Sequence, residues 1–228
     1  MSDLFYNTRL YPLQDKVLRL IGQTHSDLYL TGGTFLSRFL LHHRYSDDLD
    51  FFINADPDFS RKVALAIQPV IQSYAHVELS SRQDAYVRYF VVEEEIKLKI
   101  EFINDVQYRS GIPSRMENGL LLDTWENVLS NKVTALSRLA AKDFVDILFI
   151  SLNYPFNWEV VIDEAKKKDA AINEIEVSER LIGFDLSSMK DVSFPGQFDA
   201  SKITKDYFQI LARESLHGFD NSLHGRTL

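Results

Sequence analysis

Cysteine is absent from the chain, which removes disulfides, thiolate zinc centres and cysteine nucleophiles together. Such a composition suits a reducing compartment, so the cytoplasm is the expected location. No apolar run approaches the roughly 18 residues of a membrane span, so no membrane partner is expected. The opening residues, MSDLFYNTRLYPLQDK, lack the basic-then-apolar layout of a signal peptide. Basic charge is also short: 25 Lys plus Arg stand against 33 Asp plus Glu, a formal net charge of −8. Broad nonspecific binding of nucleic acid is thereby disfavoured, because phosphate contacts need a local surplus of cations. None of the six histidines forms His-Glu-x-x-His, and there is no Walker loop, no Gly-x-Ser-x-Gly elbow and no internal repeat.

What is present is apolar material. With 45% hydrophobic residues in 228, the chain can bury a real core, and neither disorder nor a coiled-coil rod fits. Helical spacing of Leu13, Val17, Leu20 and Ile21 predicts a helix over Pro12 to His25. A short apolar run, Leu28 to Leu30, then meets Thr31-Gly32-Gly33-Thr34 and a second helix carrying Phe35, Leu36, Phe39 and Leu40. Asp48 to Ile53 reads as a strand, followed by a helix from Asp56 to about Tyr74. Further strands are expected over 76–79, 85–92 and 96–104. In the last of these Ile96, Leu98, Ile100 and Phe102 alternate with Lys97, Lys99 and Glu101, one face core and the other polar. From about Thr124 the pattern turns helical: 124–139, 142–152, 158–168, 172–182 and 205–216, with 184–203 a long connection or lid. The expected class is α+β: a mixed sheet flanked by helices over residues 1–115, then a mainly helical lobe over 116–228, divided near Gly111-Ile112-Pro113.

Chemistry concentrates at Asp48-Leu49-Asp50. Residues two apart in a strand share a face, so the two carboxylates project together while Leu49 and Phe51 enter the core. Two hard carboxylates on one face suit magnesium. Gly32 and Gly33, just before a helix, let backbone approach a phosphate. Metal beside phosphate describes an NTP site, and Glu101 is the candidate third carboxylate for in-line displacement. Asp-x-Asp by itself arises readily by chance in so acidic a chain; its weight comes from following strand, glycine pair and helix. Glu101 reads equally as a solvated acid on an edge strand.

Lys132 and Asp143 lie on successive helices around Leu139-Ala140-Ala141, a corner that would turn both toward a cleft, where Lys132 would meet a phosphate. The plainer alternative is a solvated lysine. Arg138 and Asp146 read as structural pairs. Arg38 and Arg44 lie near the glycine turn and either meet phosphate or RNA or, for Arg44, pair with Asp47 at the surface.

Thr31-Gly32-Gly33-Thr34 followed by Arg44-Tyr45-Ser46-Asp47-Asp48-Leu49-Asp50-Phe51-Phe52 resembles the signature of DNA-polymerase-β-like nucleotidyltransferases. Together with Lys132-Val133-Thr134-Ala135-Leu136-Ser137-Arg138 and Lys142-Asp143-Phe144-Val145-Asp146-Ile147, it resembles the AbiEii/AbiGii branch of abortive-infection and toxin–antitoxin nucleotidyltransferases, over residues 29 to 150. The resemblance implies magnesium on Asp48 and Asp50, with triphosphate on Gly33 and Thr34 and with Lys132 and Asp143 in the nucleotide site. It also implies an RNA acceptor, tRNA 3′ ends in particular, and a separately encoded antitoxin. Lys97, Lys99, Arg109, Arg115, Lys132 and Lys166-Lys167-Lys168 are available for a basic patch. Two rivals stand beside this reading: nucleotidylation of a small molecule or protein hydroxyl, and a noncatalytic interaction module on the same fold.

Overall fold

The computed structural model describes residues 3–228. Its helices include α1 (Tyr11–Gly22), α2 (Gly32–Thr34, continued as a wider helical turn through Phe35–Leu40) and α3 (Phe59–Ser73). Between them lie β1 (Tyr29–Thr31) and β2 (Leu49–Asn54), and after α3 come five strands in succession: β3 (His76–Gln83), β4 (Tyr86–Glu93), β5 (Ile96–Asp105), β6 (Ser114–Arg115) and β7 (Leu121–Leu122). The strands form one sheet in the order β3-β4-β5-β2-β1-β7-β6. β2 runs parallel to β5 and antiparallel to β1, so the sheet is mixed. The expected α+β class, a mixed sheet flanked by helices, is the fold observed.

Alternation decides which face is core. Leu49, Phe51 and Ile53 of β2 and Leu98, Ile100 and Phe102 of β5 are buried, while Asp50 and Glu101 are part-exposed on the opposite face. α1 adds Leu13, Val17 and Ile21 to this core, and α3 adds Phe59, Val63 and Ile67. Each such side chain contributes about 1.5–3 kcal/mol by leaving water. β6 and β7, two residues each, escape any periodicity argument, and β3 runs on to Gln83 through an irregularity between Leu79 and Ser81.

The remaining helices are α4 (Trp125–Ala135), α5 (Ala141–Asn153), α6 (Trp158–Lys168), α7 (Glu174–Ile182) and α8 (Lys205–His217). α4 stops short of the expected 139 because a tight turn, Leu136–Arg138, follows it and Leu139 takes the left-handed backbone (φ +53°). The 184–203 connection is packed: Phe184 stacks on Phe144 at 4.4 Å, and Asp185 and Asp199 each cap a short helical turn.

The chain forms two compact units. The first comprises residues 1–40, 45–107 and 112–124; the second comprises 41–44, 108–111 and 125–228. Among the described residues no helix is long and apolar enough to cross a membrane.

Candidate active site

In the first unit, sheet register assembles what sequence could only suggest. β2 and β5 run side by side with Asp50 opposite Glu101, and β1 places Thr31 opposite Asp50 on the other flank. Parallel neighbours lie about 4.8 Å apart, so Asp50 and Glu101 share one face of the sheet. The glycine turn closes on the same acids. Gly32 takes φ +66°, a conformation open to glycine, and a Cβ there would stand 3.0 Å from Asp50 Oδ2. Backbone and carboxylate are thus in direct apposition.

Lys99 completes the group. Its Nζ lies 2.9 Å from Asp48 Oδ2 and 2.9 Å from Glu101 Oε2, joining the two acids. Glu101 also accepts from Arg88 (Nε at 2.9 Å, Nη2 at 2.7 Å) and from the Tyr86 hydroxyl. Burial opposes the Glu101 charge, but the bonds from Tyr86, Lys99 and Arg88 outweigh it and lower its pKa to about 2. Burial likewise works against the Lys99 ammonium, and its bonds to Glu101 and Asp48 more than compensate, raising its pKa. Lys99 was foreseeable only as a basic residue on the polar face of β5; its reach to Asp48 depends on the pairing of β2 with β5.

Thr34 is fully buried. Its hydroxyl donates to the Asp48 carbonyl and lies 2.9 Å from Ser46 Oγ, so it fixes the loop that carries Asp48. Arg38 is held by Asp15 at 2.6 Å and lies over the Tyr11 ring.

Asp48, Asp50 and Glu101 offer oxygen donors alone, which a hard dication accepts. The Lys99 ammonium already marks a place between Asp48 and Glu101 where positive charge is accommodated. Among the described residues no group of three or more histidine, aspartate or glutamate side chains is placed to hold a metal ion, so the protein's share of a metal site here is two carboxylates at most. A dication here would draw further oxygens from water or substrate phosphates, the ordinary habit of magnesium.

The second unit holds another charged cluster. Lys132 Nζ sits 2.6 Å from Asp143 Oδ1 and 2.7 Å from Asp146 Oδ2, with both aspartates wholly buried. Lys132 is therefore not a solvated charge: burial disfavours its ammonium, but Asp146 and Asp143 prevail and raise its pKa. Arg44 does not pair with Asp47 at the surface. It is buried and grips Asp146 through Nε and Nη2, each at 2.7 Å. Asp146 is held well below the usual carboxylate range, burial being overcome by Arg44 and Lys132. His43 Nε2 meets the same carboxylate at 2.7 Å, and burial pushes the His43 pKa down despite that contact. Arg138 Nη2 reaches Asp143 at 3.0 Å, and the turn at Leu139 brings α5 back beside α4. The expected structural pairs of Arg138 and Asp146 are thus present, with Arg44 and His43 as partners that no local pattern signals.

Of the other proposed basic residues, Arg115 is tied to backbone carbonyls of Ser26 and Gly119, and Lys166 to Glu174. Lys168 donates to the side-chain oxygens of Asn127, Ser130 and Asn131 on α4. Lys97 lies on the carboxylate-bearing face of the sheet, paired with Glu78 and resting over Phe90.

The chain is similar in structure to two solved proteins of Helicobacter pylori. JHP933 aligns with a TM-score of 0.63 at 18% identity, over 92% of this chain and 93% of that one. A protein described as a candidate nucleotidyltransferase aligns with the same score and identity, over 92% of this chain and 96% of that one. At that identity the likeness speaks for the fold. No curated protein matches the chain. The family model for the nucleotidyl transferase AbiEii toxin of type IV toxin–antitoxin systems matches residues 19–221, nearly the whole length, and so takes in the glycine turn, the paired aspartates and the Lys132–Asp143 segment. The chain belongs to the AbiEii nucleotidyltransferase toxin family.

Proposed function

We propose that this enzyme transfers a nucleotide from a magnesium-bound NTP to an RNA 3′ end, tRNA above all, and that an antitoxin encoded separately restrains it. The observation that carries this reading is the apposition of Gly32 with Asp50, and of Asp50 with Glu101, on one face of the sheet. Asp48 and Asp50, with Glu101 within reach, would hold the metal, which supplies charge neutralisation for the triphosphate oxygens. The Gly32-Gly33 backbone orients the leaving pyrophosphate, and Thr34 acts by holding the Asp48 loop rather than by meeting phosphate itself. An acceptor hydroxyl attacks the α-phosphorus in line: its oxygen bonds to phosphorus as the bond to pyrophosphate breaks, and its proton passes to solvent. Glu101, with a pKa of about 2, suits a charge-stabilising role better than proton abstraction, which favours a pKa nearer the working pH. Lys132 and Asp143 would serve the nucleotide, as the resemblance of their segment to the family implies, with Asp146 and Asp143 keeping the lysine charged.

The test is incubation with each labelled NTP, magnesium and total cellular RNA, followed by separation of RNA, protein and small molecules. Label in RNA is expected. Label in protein or in small molecules would replace RNA as the acceptor, and label nowhere would favour the noncatalytic module.

A further inference from the structure

We propose that Lys99 is an exchangeable counter-ion: its ammonium joins Asp48 to Glu101 when no dication is bound, and a dication gains Asp48 only by displacing it. The inference rests on the reading that Asp48 and Asp50 hold the metal.

The contacts of the two acids are unequal. Glu101 keeps Tyr86 and Arg88 when Lys99 leaves, so its carboxylate stays satisfied. Asp48 has Lys99 as its cation partner among the described residues, so departure of the lysine frees that carboxylate. The lysine itself can leave. Its side chain is 26% exposed, and a flexible four-carbon stem carries a strongly hydrated ammonium to water over a short path. Retention is disfavoured, since an ammonium and a dication within about 4 Å on one carboxylate repel each other. The sheet order adds a consequence. The glycine turn flanks Asp50 from β1, whereas Lys99 stands on β5 at the opposite flank. If the turn takes the leaving pyrophosphate, in-line attack brings the acceptor from the β5 side, where a displaced Lys99 meets acceptor phosphate.

Manganese binding by the nucleotide-free, full-length protein tests this through the electron paramagnetic resonance of free Mn²⁺. Lys99→Met should bind Mn²⁺ about tenfold more tightly than the parent, by removal of a competing cation. Lys99→Gln should do the same, which guards against a folding defect peculiar to methionine. Lys99→Arg keeps the charge and should stay within about twofold of the parent. Equal or weaker binding in Lys99→Met and Lys99→Gln, with the parent binding normally, overturns the exchange and leaves the metal reading intact. Absence of Mn²⁺ binding in the parent and every variant overturns both.

Discussion

Lys99 and Lys132 each bridge a pair of carboxylates, and their surroundings set them apart. Lys99 joins Asp48 and Glu101 at 2.9 Å to each, with the side chains 26%, 29% and 14% exposed. Lys132 joins Asp143 and Asp146 at 2.6 and 2.7 Å, with exposures of 8%, 0% and 0%. Water beside the first trio lets its charges exchange partners. The second has no such outlet, and breaking a buried pair strands a charge in low dielectric. The same chemistry therefore yields a replaceable cation in one unit and a fixed one in the other.

The sharpest break in this comparison is Lys132→Ala. Removing it should cost about 3–5 kcal/mol of stability, because Asp143 and Asp146 lose a buried partner. Lys99→Met should cost less than about 1 kcal/mol, as a part-exposed pair contributes little. Urea unfolding of the two variants measures the contrast, and equal losses would erase it.

Asp50→Ala should lower nucleotide transfer by about a thousandfold with the fold retained, since the carboxylate is part-exposed and serves charge stabilisation. Circular dichroism alongside the labelled-NTP assay separates the two effects. Gly32→Ala should be destabilised by about 1–2 kcal/mol, because φ +66° disfavours a side chain and the new Cβ would press on Asp50 Oδ2. Transfer should fall as Asp50 is pushed aside.

A further contrast comes from titration. Folding holds the Glu101 pKa below its ordinary 4.5, at about 2. The stability from that depression is fully present above about pH 4.5 and is lost as pH falls toward about 2. Glu101→Gln should flatten that part of the acid-unfolding curve. An unchanged curve would show that Tyr86, Arg88 and Lys99 do not act on this carboxylate as described.

Much of this architecture is legible along the chain. The Ile96-to-Phe102 alternation marks β5 and its polar face, and Asp48-Leu49-Asp50 ahead of Phe51 marks the acids at the entrance to a strand. Strand pairing is not legible. That β2 runs beside β5 with Asp50 opposite Glu101 follows from tertiary packing, so the bridge from Lys99 to Asp48 leaves no local trace. Arg44 and Asp146 meet across 102 residues, and nothing near either predicts that an arginine beside Asp47 turns inward. The end of α4 is equally silent: Leu139 adopts a backbone usually reserved for glycine or asparagine, so no breaker residue announces the turn. Residues 114–115 and 121–122 pair as strands too short for period two to register.

The central claim is that Asp48 and Asp50, beside the glycine turn, hold the dication that serves the NTP. Crystals grown with Mn²⁺ and a nonhydrolysable NTP analogue test it by anomalous scattering. The account predicts a manganese peak bound by both aspartates and bridged to phosphate oxygens, with the Lys99 ammonium turned away from Asp48. A nucleotide bound with manganese elsewhere, and Lys99 still seated between Asp48 and Glu101, would contradict it.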